Sequence, residues 1–268
     1  MLQTMKDKRK NVMLIDSHAH LDDEAFNEDR EELIAQIRDA GIEYVVNIAA
    51  SLSSIKTSME LADRHDFIYT SVGVHPCETK ELGEENFEWM KQQLFHEKVR
   101  AVGEIGLDYY WNEPEKEIQQ TWFRRQLQLA HKVKLPVIIH SRDAAADTCR
   151  IMKEEEADQL EGVIHCYSYT KETARDYLNW GYYFGIGGVS TFQNAKKLKE
   201  AIEYIPIENI VLETDSPYLA PSPYRGKRNS PLNLPIIAQA IADIKQMDVE
   251  QVIEITGSNS KKLYKLGE

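Results

Sequence analysis

Histidine is concentrated at the ends of short apolar runs in this sequence. Of the eight histidines, five come at or just after such a run, and two carboxylates stand in the same kind of position. These residues are His18, His20, His75, Glu104, His140, His165 and Asp215. If the runs are parallel strands of a barrel, the side chains meet at its carboxyl-terminal rim. Burying so many ionisable groups together costs free energy unless something compensates them, so the pattern predicts a metal site.

His18 and His20 are separated by one residue as the chain leaves the first run. Alternate residues of a strand point the same way, so both imidazoles can bind one ion. Such a pair is common by chance, but Asp16 ends the same run. Imidazole and carboxylate ligands suit zinc, manganese or magnesium. More than four candidate ligands indicates two divalent ions, with Glu104 able to bridge them, which is the usual arrangement for phosphoester hydrolysis by a metal-activated water.

Asp215 follows the last apolar run and precedes Ser216-Pro217. It could bind metal and accept the proton of the attacking water, or it could be an ordinary turn aspartate before a proline. We favour the functional interpretation because the preceding strand aims Asp215 at the same rim as the histidines. Glu213 is expected to face the opposite way from its neighbours and therefore to lie outside the active site.

A basic loop over Arg225–Asn229 follows the last run. In barrels the loops after strands 7 and 8 often bind phosphate, and arginine suits bidentate contact with it, although a solvated basic loop is the alternative. The aromatic stretch Tyr109–Trp111 is predicted on a rim loop, where it could stack on bases or merely cover the barrel mouth. Cys166 is expected to point away from His165 into packing, and nothing else suggests acyl transfer by a cysteine nucleophile.

The elements that must position these residues alternate along the chain. Apolar, β-rich runs occur at 13–16, 44–49, 68–74, 100–106, 136–140, 162–166, 182–188 and 210–215. Helix-periodic stretches lie between them, among them Glu31–Ala40, Glu115–Lys134 and Thr170–Trp180. This alternation predicts an α/β fold, a single-domain (β/α)8 TIM barrel. The alternative, an open doubly wound sheet, requires a glycine-rich loop after the first strand, and no glycine stands there.

The composition and charge of the chain argue against several classes of protein. The 268 residues include 32 Lys and Arg against 44 Asp and Glu, a formal charge of −12, which argues against phosphate binding by bulk positive charge. No run approaches the roughly 18 apolar residues of a membrane span. Three cysteines are too few for a disulfide framework and predict a cytoplasmic location. Residues 1–12 are predicted to be a flexible extension and 13–268 one barrel domain, which can function as a monomer.

Several motifs occur in one order along the chain. They are Ile15–Asp22, Val72–Pro76, Gly103–Tyr109, His140–Arg142, His165-Cys166 and Leu212–Leu219, followed by the Arg225–Asn229 loop. In this order they resemble the TatD family of metal-dependent deoxyribonucleases, which belongs to the amidohydrolase superfamily. The resemblance spans about residues 13–265.

The resemblance implies a divalent-metal-dependent phosphodiesterase, a 3′–5′ exonuclease that acts on DNA ends or short oligonucleotides. It assigns His18, His20, Glu104 and Asp215 to one ion, and Glu104, His140 and His165 to the other. Asp215 would also serve as the base, with Glu104 as the bridging catalytic carboxylate. His75, Arg142 and Arg225 would contact substrate phosphate.

The sequence departs from the family pattern at positions that bear on substrate contacts. Cys77 stands where the family often has a second histidine, and Tyr167 and Tyr169 replace a phenylalanine and a glycine. The alternative function is hydrolysis of a small cyclic amide or ester on the same scaffold. Many such enzymes bridge their metals with a carboxylated lysine at a strand end, and no predicted strand here ends in lysine. A binding protein with a decayed site is disfavoured by the intact ligand set.

Overall fold

Eight parallel strands follow one another around a barrel in chain order. The computed structural model describes residues 14–111 and 113–268. The strands are β1 (Leu14–Ala19), β2 (Ile42–Asn47), β3 (Ile68–Val72), β4 (Val99–Asp108), β5 (Val137–Arg142), β6 (Gly162–Ile164), β7 (Tyr183–Ile186) and β8 (Ile210–Leu212). Each pairs in parallel with the next, which confirms the TIM barrel and excludes the open doubly wound sheet. The predicted extension over 1–12, and Met13, lie outside the described residues.

Helices cover the outside of the barrel, one after each strand. They are α1 (Arg30–Asp39), α2 (Leu52–Arg64), α3 (Glu84–Gln93), α4 (Lys116–Val133), α5 (Ala145–Glu154), α6 (Lys171–Asn179), α7 (Lys196–Tyr204), α8 (Leu234–Lys245) and a final α9 (Val249–Tyr264). The three helices predicted from sequence, α1, α4 and α6, are present with each end within one residue of its expected position. Across the described part of the chain, no helix has both the length and the apolar character to cross a membrane.

The apolar core has two layers separated by the strands. The larger layer lies between the barrel and the helices. The inner layer contains inward-facing residues of every strand, such as Ile15, Ile138 and Val211, and is closed from below by Leu263 and Tyr264 of α9. Because apolar side chains fill the lower barrel, the polar cluster described below is confined to the carboxyl-terminal end.

The seam between β1 and β8 is closed by hydrogen bonds rather than by a long ladder. Asp16 is fully buried and accepts from the Thr214 amide (3.0 Å) and the Thr214 hydroxyl (2.6 Å). Burial raises the pKa of Asp16 to about 7 in spite of these hydrogen bonds. Above this pair, the Asp215 amide donates to the His18 carbonyl (2.9 Å) and the His20 amide to the Ser216 carbonyl (2.8 Å). The first and last strands are thereby held in a fixed register.

We predict that Thr214→Val destabilises the protein by about 2–3 kcal/mol, because it leaves a buried carboxyl oxygen without its donor. Thr256→Val is a matched control, since the Thr256 hydroxyl is also buried but donates to the Val252 carbonyl of its own helix (2.7 Å). The control should cost only about 1 kcal/mol. Urea unfolding of the metal-free proteins measures both, and equal losses would contradict a special role for the seam.

Candidate metal centre

One carboxylate, that of Glu104 on β4, lies among all five rim histidines. Its side chain is 4% exposed. The distances from its oxygens to ring nitrogens are 2.7 Å for His140, 3.6 Å for His18, 3.7 Å for His165, and 3.9 Å for both His20 and His75. The structure therefore brings together the five histidines that were predicted at strand ends. His18 lies on β1 and His20 just after it, His75 follows β3, His140 lies on β5, and His165 follows β6.

The two oxygens of Glu104 face different histidines. Oε2 is the oxygen near His18 and His20, whereas Oε1 is the oxygen near His75, His140 and His165. The carboxylate thus divides the cluster into two halves, one on each oxygen.

Asp215 completes the first half of the cluster. Its Oδ1 lies 3.5 Å from Nε2 of His20, 3.8 Å from Nε2 of His18 and 3.7 Å from Nε2 of His165. Its side chain is 14% exposed, which makes it the more accessible of the two predicted catalytic carboxylates.

In three of these histidines, a neighbouring group contacts the ring nitrogen that faces away from Glu104, called the outer nitrogen below. Nδ1 of His20 donates to the Ile48 carbonyl (2.9 Å), and Nε2 of His140 lies 3.1 Å from a carboxylate oxygen of Asp108. Nδ1 of His165 lies 3.2 Å from Oε1 of Glu213. In each case the other ring nitrogen faces Glu104. Outer partners of this kind fix the ring and the tautomer of metal-binding histidines.

The local pKa values reflect a cluster whose charges compensate one another. Burial opposes charge on Glu104, but neighbouring imidazoles, His165 most strongly, outweigh it and hold its pKa well below the ordinary value. Burial also disfavours charge on His20, yet Asp215 raises its pKa to about 9. Burial likewise disfavours charge on His165, but the nearby carboxylates, Glu213 most strongly, raise its pKa to about 10. Protons on imidazoles therefore supply the positive charge that the carboxylates require.

The residues fit a divalent metal ion on their own geometry. Nε2 of His18 and Nε2 of His20 face each other at 3.2 Å, although both rings are enclosed. Nδ1 of the buried His18 has no hydrogen-bond partner. Several sets of three donor atoms lie within 4.8 Å of one another, among them His18 with His20 and Asp215, His18 with Glu104 and His165, and His75 with Glu104 and His140. Converging imidazole and carboxylate lone pairs of this kind suit zinc, manganese or magnesium.

His75 differs from the other four histidines in its hydrogen bonding. Its Nδ1 accepts from the amide of Cys77 (3.2 Å), so the hydrogen of the neutral ring is on Nε2, which faces Glu104. Burial and the neighbouring His140 lower the pKa of His75 to about 3, which keeps the ring neutral. His75 therefore presents the N–H of a neutral ring to the site.

Comparison with known proteins establishes the family to which the chain belongs. A family model described as TatD related DNase matches residues 15–265. The chain belongs to this family. YabD of Bacillus subtilis, named an uncharacterized metal-dependent hydrolase, is 42% identical over 254 residues, which cover 95% of this chain and 100% of YabD. This TatD-type chain is accordingly a metal-dependent hydrolase.

Solved structures agree with this family assignment. YJJV, a TatD homolog from Escherichia coli, matches with a TM-score of 0.90 and 27% identity over 95% of this chain and 99% of that one. An uncharacterized amidohydrolase from Saccharomyces cerevisiae matches with a TM-score of 0.83 and 20% identity over 94% and 99% of the two chains. The latter similarity concerns the fold, which TatD proteins share with amidohydrolases.

The predicted phosphate-binding arginines of this TatD protein lie outside the buried cluster. Arg142 ends β5 and is exposed, with its guanidinium 3.8 Å from the ring centre of Tyr110. Arg225 is exposed in the loop after β8, with its guanidinium 4.5 Å from the ring centre of Phe192. Arg228 of the same loop is occupied by both carboxylate oxygens of Asp29, at 2.8 and 2.5 Å.

Two expectations about neighbours of the ligands are wrong. Glu213 was expected to face away from the site, and Cys166 to point into packing. Glu213 is buried against His165, and the Cys166 sulfur lies within 4.8 Å of donor atoms of both. For Cys166 the physical reason is that β6 ends at Ile164 and that Cys166 has a positive φ of 46°, so strand alternation no longer governs its direction. For Glu213 the expectation misapplied the alternation, because Val211 of β8 faces the inside of the barrel and a residue two positions later faces the same way.

Asp108 is a site residue that the sequence analysis missed. The spacing is the signal that could have found it, because Asp108 is four residues after Glu104 and period two places both on one face. The predicted strand ended at 106, whereas β4 continues to Asp108. The intervening Gly106 has a φ of +146°, and a Cβ there would lie 1.9 Å from the His140 carbonyl oxygen. Only glycine allows β4 to approach β5 this closely at the site.

We predict that this TatD protein gains thermal stability when Mn²⁺ is added after treatment with EDTA. At 100 times the dissociation constant a single bound ion stabilises by about 2.7 kcal/mol, and therefore raises Tm by roughly 5–10 °C. His18→Ala, which removes a buried ligand candidate, should abolish most of that shift. Differential scanning calorimetry in both states measures it, and an unchanged Tm of the wild-type protein on adding Mn²⁺ would count against a metal centre.

Proposed function

We propose that the protein is a two-metal deoxyribonuclease that hydrolyses phosphodiester bonds at DNA ends, as a 3′–5′ exonuclease. The observation that carries the proposal is the division of the cluster by Glu104. One oxygen faces His18 and His20, and the other faces His140 and His165. A carboxylate placed in this way can bridge two ions, with Asp215 as a further ligand of the first.

The ions and the side chains have separate tasks in this proposal. Divalent ions bound here would supply a nucleophile from water near neutral pH and polarise the phosphoryl group. Asp215 accepts the proton of the attacking water, because its carboxylate is more accessible than that of Glu104. The Nε2–H of His75 donates to a non-bridging phosphate oxygen, since its lone pair is on the other nitrogen.

Charge supports an end-cutting enzyme rather than one that coats long nucleic acid. The chain carries a formal −12, so attraction for phosphate must be local. Two divalent ions would add about +4 at the rim, and Arg142 at the end of β5 and Arg225 in the loop after β8 are exposed at the same end of the barrel. This arrangement favours the terminus of a DNA strand that reaches the metal centre. We further propose a cytoplasmic monomer, in keeping with the cysteines, all three of which are free thiols.

The direct test is digestion of a labelled single strand with an exposed 3′ end in Mg²⁺ or Mn²⁺. We expect stepwise shortening that EDTA stops, and we expect Glu104→Ala to lower the rate at least about 1,000-fold, because both halves of the centre lose a ligand. Circular dichroism checks that the variant is folded. An unchanged rate in Glu104→Ala, or hydrolysis of lactones or cyclic amides without phosphodiester cleavage, would contradict the proposal.

A second test separates two arginines of one loop. Arg225→Ala should raise KM for an oligonucleotide about tenfold with kcat nearly unchanged, since it removes a charged contact to substrate phosphate. Arg228→Ala is the matched control, because its guanidinium is already bound to Asp29. The control should leave KM within about twofold of the wild type. Steady-state kinetics on the same oligonucleotide measure both, and equal KM values for the two variants would exclude Arg225 as a phosphate contact.

A further inference from the structure

We propose that Glu213 is a positioning residue that holds the His165 ring with Nε2 directed at the metal centre. The inference rests on the proposed metal site and assigns a task to a carboxylate outside the predicted ligand set. Oε1 of Glu213 lies 3.2 Å from Nδ1 of His165, on the side of the ring opposite to Glu104. Apart from this ion-pair contact, which is not aligned as a hydrogen bond, Nδ1 has no partner.

Burying Glu213 costs free energy, and the side chain makes few hydrogen bonds that would offset this cost. The residue is 1% exposed, and the only hydrogen bond of its side chain among the described residues is the one that Oε1 accepts from the Cys166 amide (2.7 Å). Oε2 has no hydrogen-bond partner. A buried carboxylate with one free oxygen destabilises a fold unless a cation offsets it. Among the described residues, His165 has the only imidazole that forms an ion pair with Glu213, so the side chain is explained by its effect on that ring.

The barrel makes space for this carboxylate at a specific glycine. Gly185 lies inside β7, where glycine weakens a strand, and its φ is not positive. A Cβ at Gly185 would lie 2.0 Å from Oε2 of Glu213. At Gly187 a Cβ would have no contact with Glu213 closer than 3.4 Å, which is ordinary packing. The missing side chain at Gly185 therefore serves to accommodate Glu213.

The same arrangement recurs at His140, which supports a positioning task. Asp108 lies 3.1 Å from Nε2 of His140, while Nδ1 of that ring faces Glu104. Asp108 is itself fixed by the amides of Tyr110 (2.9 Å) and Trp111 (3.3 Å). Each histidine assigned to the second ion thus has a carboxylate on its outer nitrogen. A carboxylate in that position orients the ring and makes it a stronger ligand.

The test is Mn²⁺ titration of metal-free protein by calorimetry, together with the Tm of the metal-free form. Glu213→Gln keeps the size of the side chain but removes its charge, and we expect the affinity for the weaker-bound Mn²⁺ to fall at least about tenfold. Glu213→Ala should lose more, because no polar side chain then remains beside Nδ1 of His165. The Tm of metal-free Glu213→Gln should stay within a few degrees of the wild type, with the same number of bound ions.

Two glycine variants give an independent comparison. Gly185→Ala should displace the carboxylate and weaken Mn²⁺ binding as Glu213→Gln does, whereas Gly187→Ala should bind Mn²⁺ like the wild type. If Gly185→Ala does not fold, the two Glu213 variants decide the matter alone. Wild-type affinity in Glu213→Gln overturns the inference. A lower Tm with unchanged affinity also overturns it, because Glu213 would then have only a structural role. So does the loss of one bound ion, because Glu213 would then itself be a metal ligand.

The proposed function fails in a different way. If the wild type binds Mn²⁺ but does not shorten DNA, the nuclease proposal is wrong, while the comparison among Glu213 variants still tests the positioning role. A wild-type protein that binds no Mn²⁺ would overturn both.

Discussion

The carboxylate of Glu104 at the centre of five imidazoles is the constraint on which the rest of the upper barrel depends. Nitrogen atoms of all five rings lie within 3.9 Å of its oxygens. Removing a carboxylate and several histidines from water is expensive unless positive charge is supplied close by. In the metal-free arrangement protons on His20, His140 and His165 supply it, as their raised pKa values indicate. A metal ion would replace those protons, which is why metal binding by such a cluster releases them.

The barrel meets this constraint by separating its polar and apolar layers. Apolar residues of all eight strands and of α9 fill the lower interior of the barrel. At the upper end, the hydrogen bonds between Asp16 and Thr214 lock β1 against the segment after β8. The backbone bond between His18 and Asp215 is part of the same seam. Closing the barrel and assembling the first half of the metal centre are therefore one structural event.

The sequence predicted the fold because buried parallel strands and amphipathic helices leave clear local patterns. It also predicted which histidines converge, since a barrel sends every strand end to one rim. It failed where the strand ended earlier or later than the apolar run suggested. β4 is longer than expected and carries Asp108 into the site, whereas β6 is shorter, so Cys166 no longer follows the alternation of the strand. The error at Glu213 is different, since period two counted from the inward-facing Val211 places Glu213 inside the barrel as well. Strand ends depend on tertiary hydrogen bonds, such as that from the Cys166 amide to Glu213, which no local pattern records.

The most direct test of the account is a crystal structure of the protein soaked in Mn²⁺, with an anomalous difference map. The account predicts two peaks on either side of the Glu104 carboxylate, about 3.5–4 Å apart. One should be bound by His18, His20 and Asp215, and the other by His140 and His165. A single peak away from Glu104, or Nδ1 of His140 still paired with Glu104 and not with an ion in the presence of saturating Mn²⁺, would contradict it.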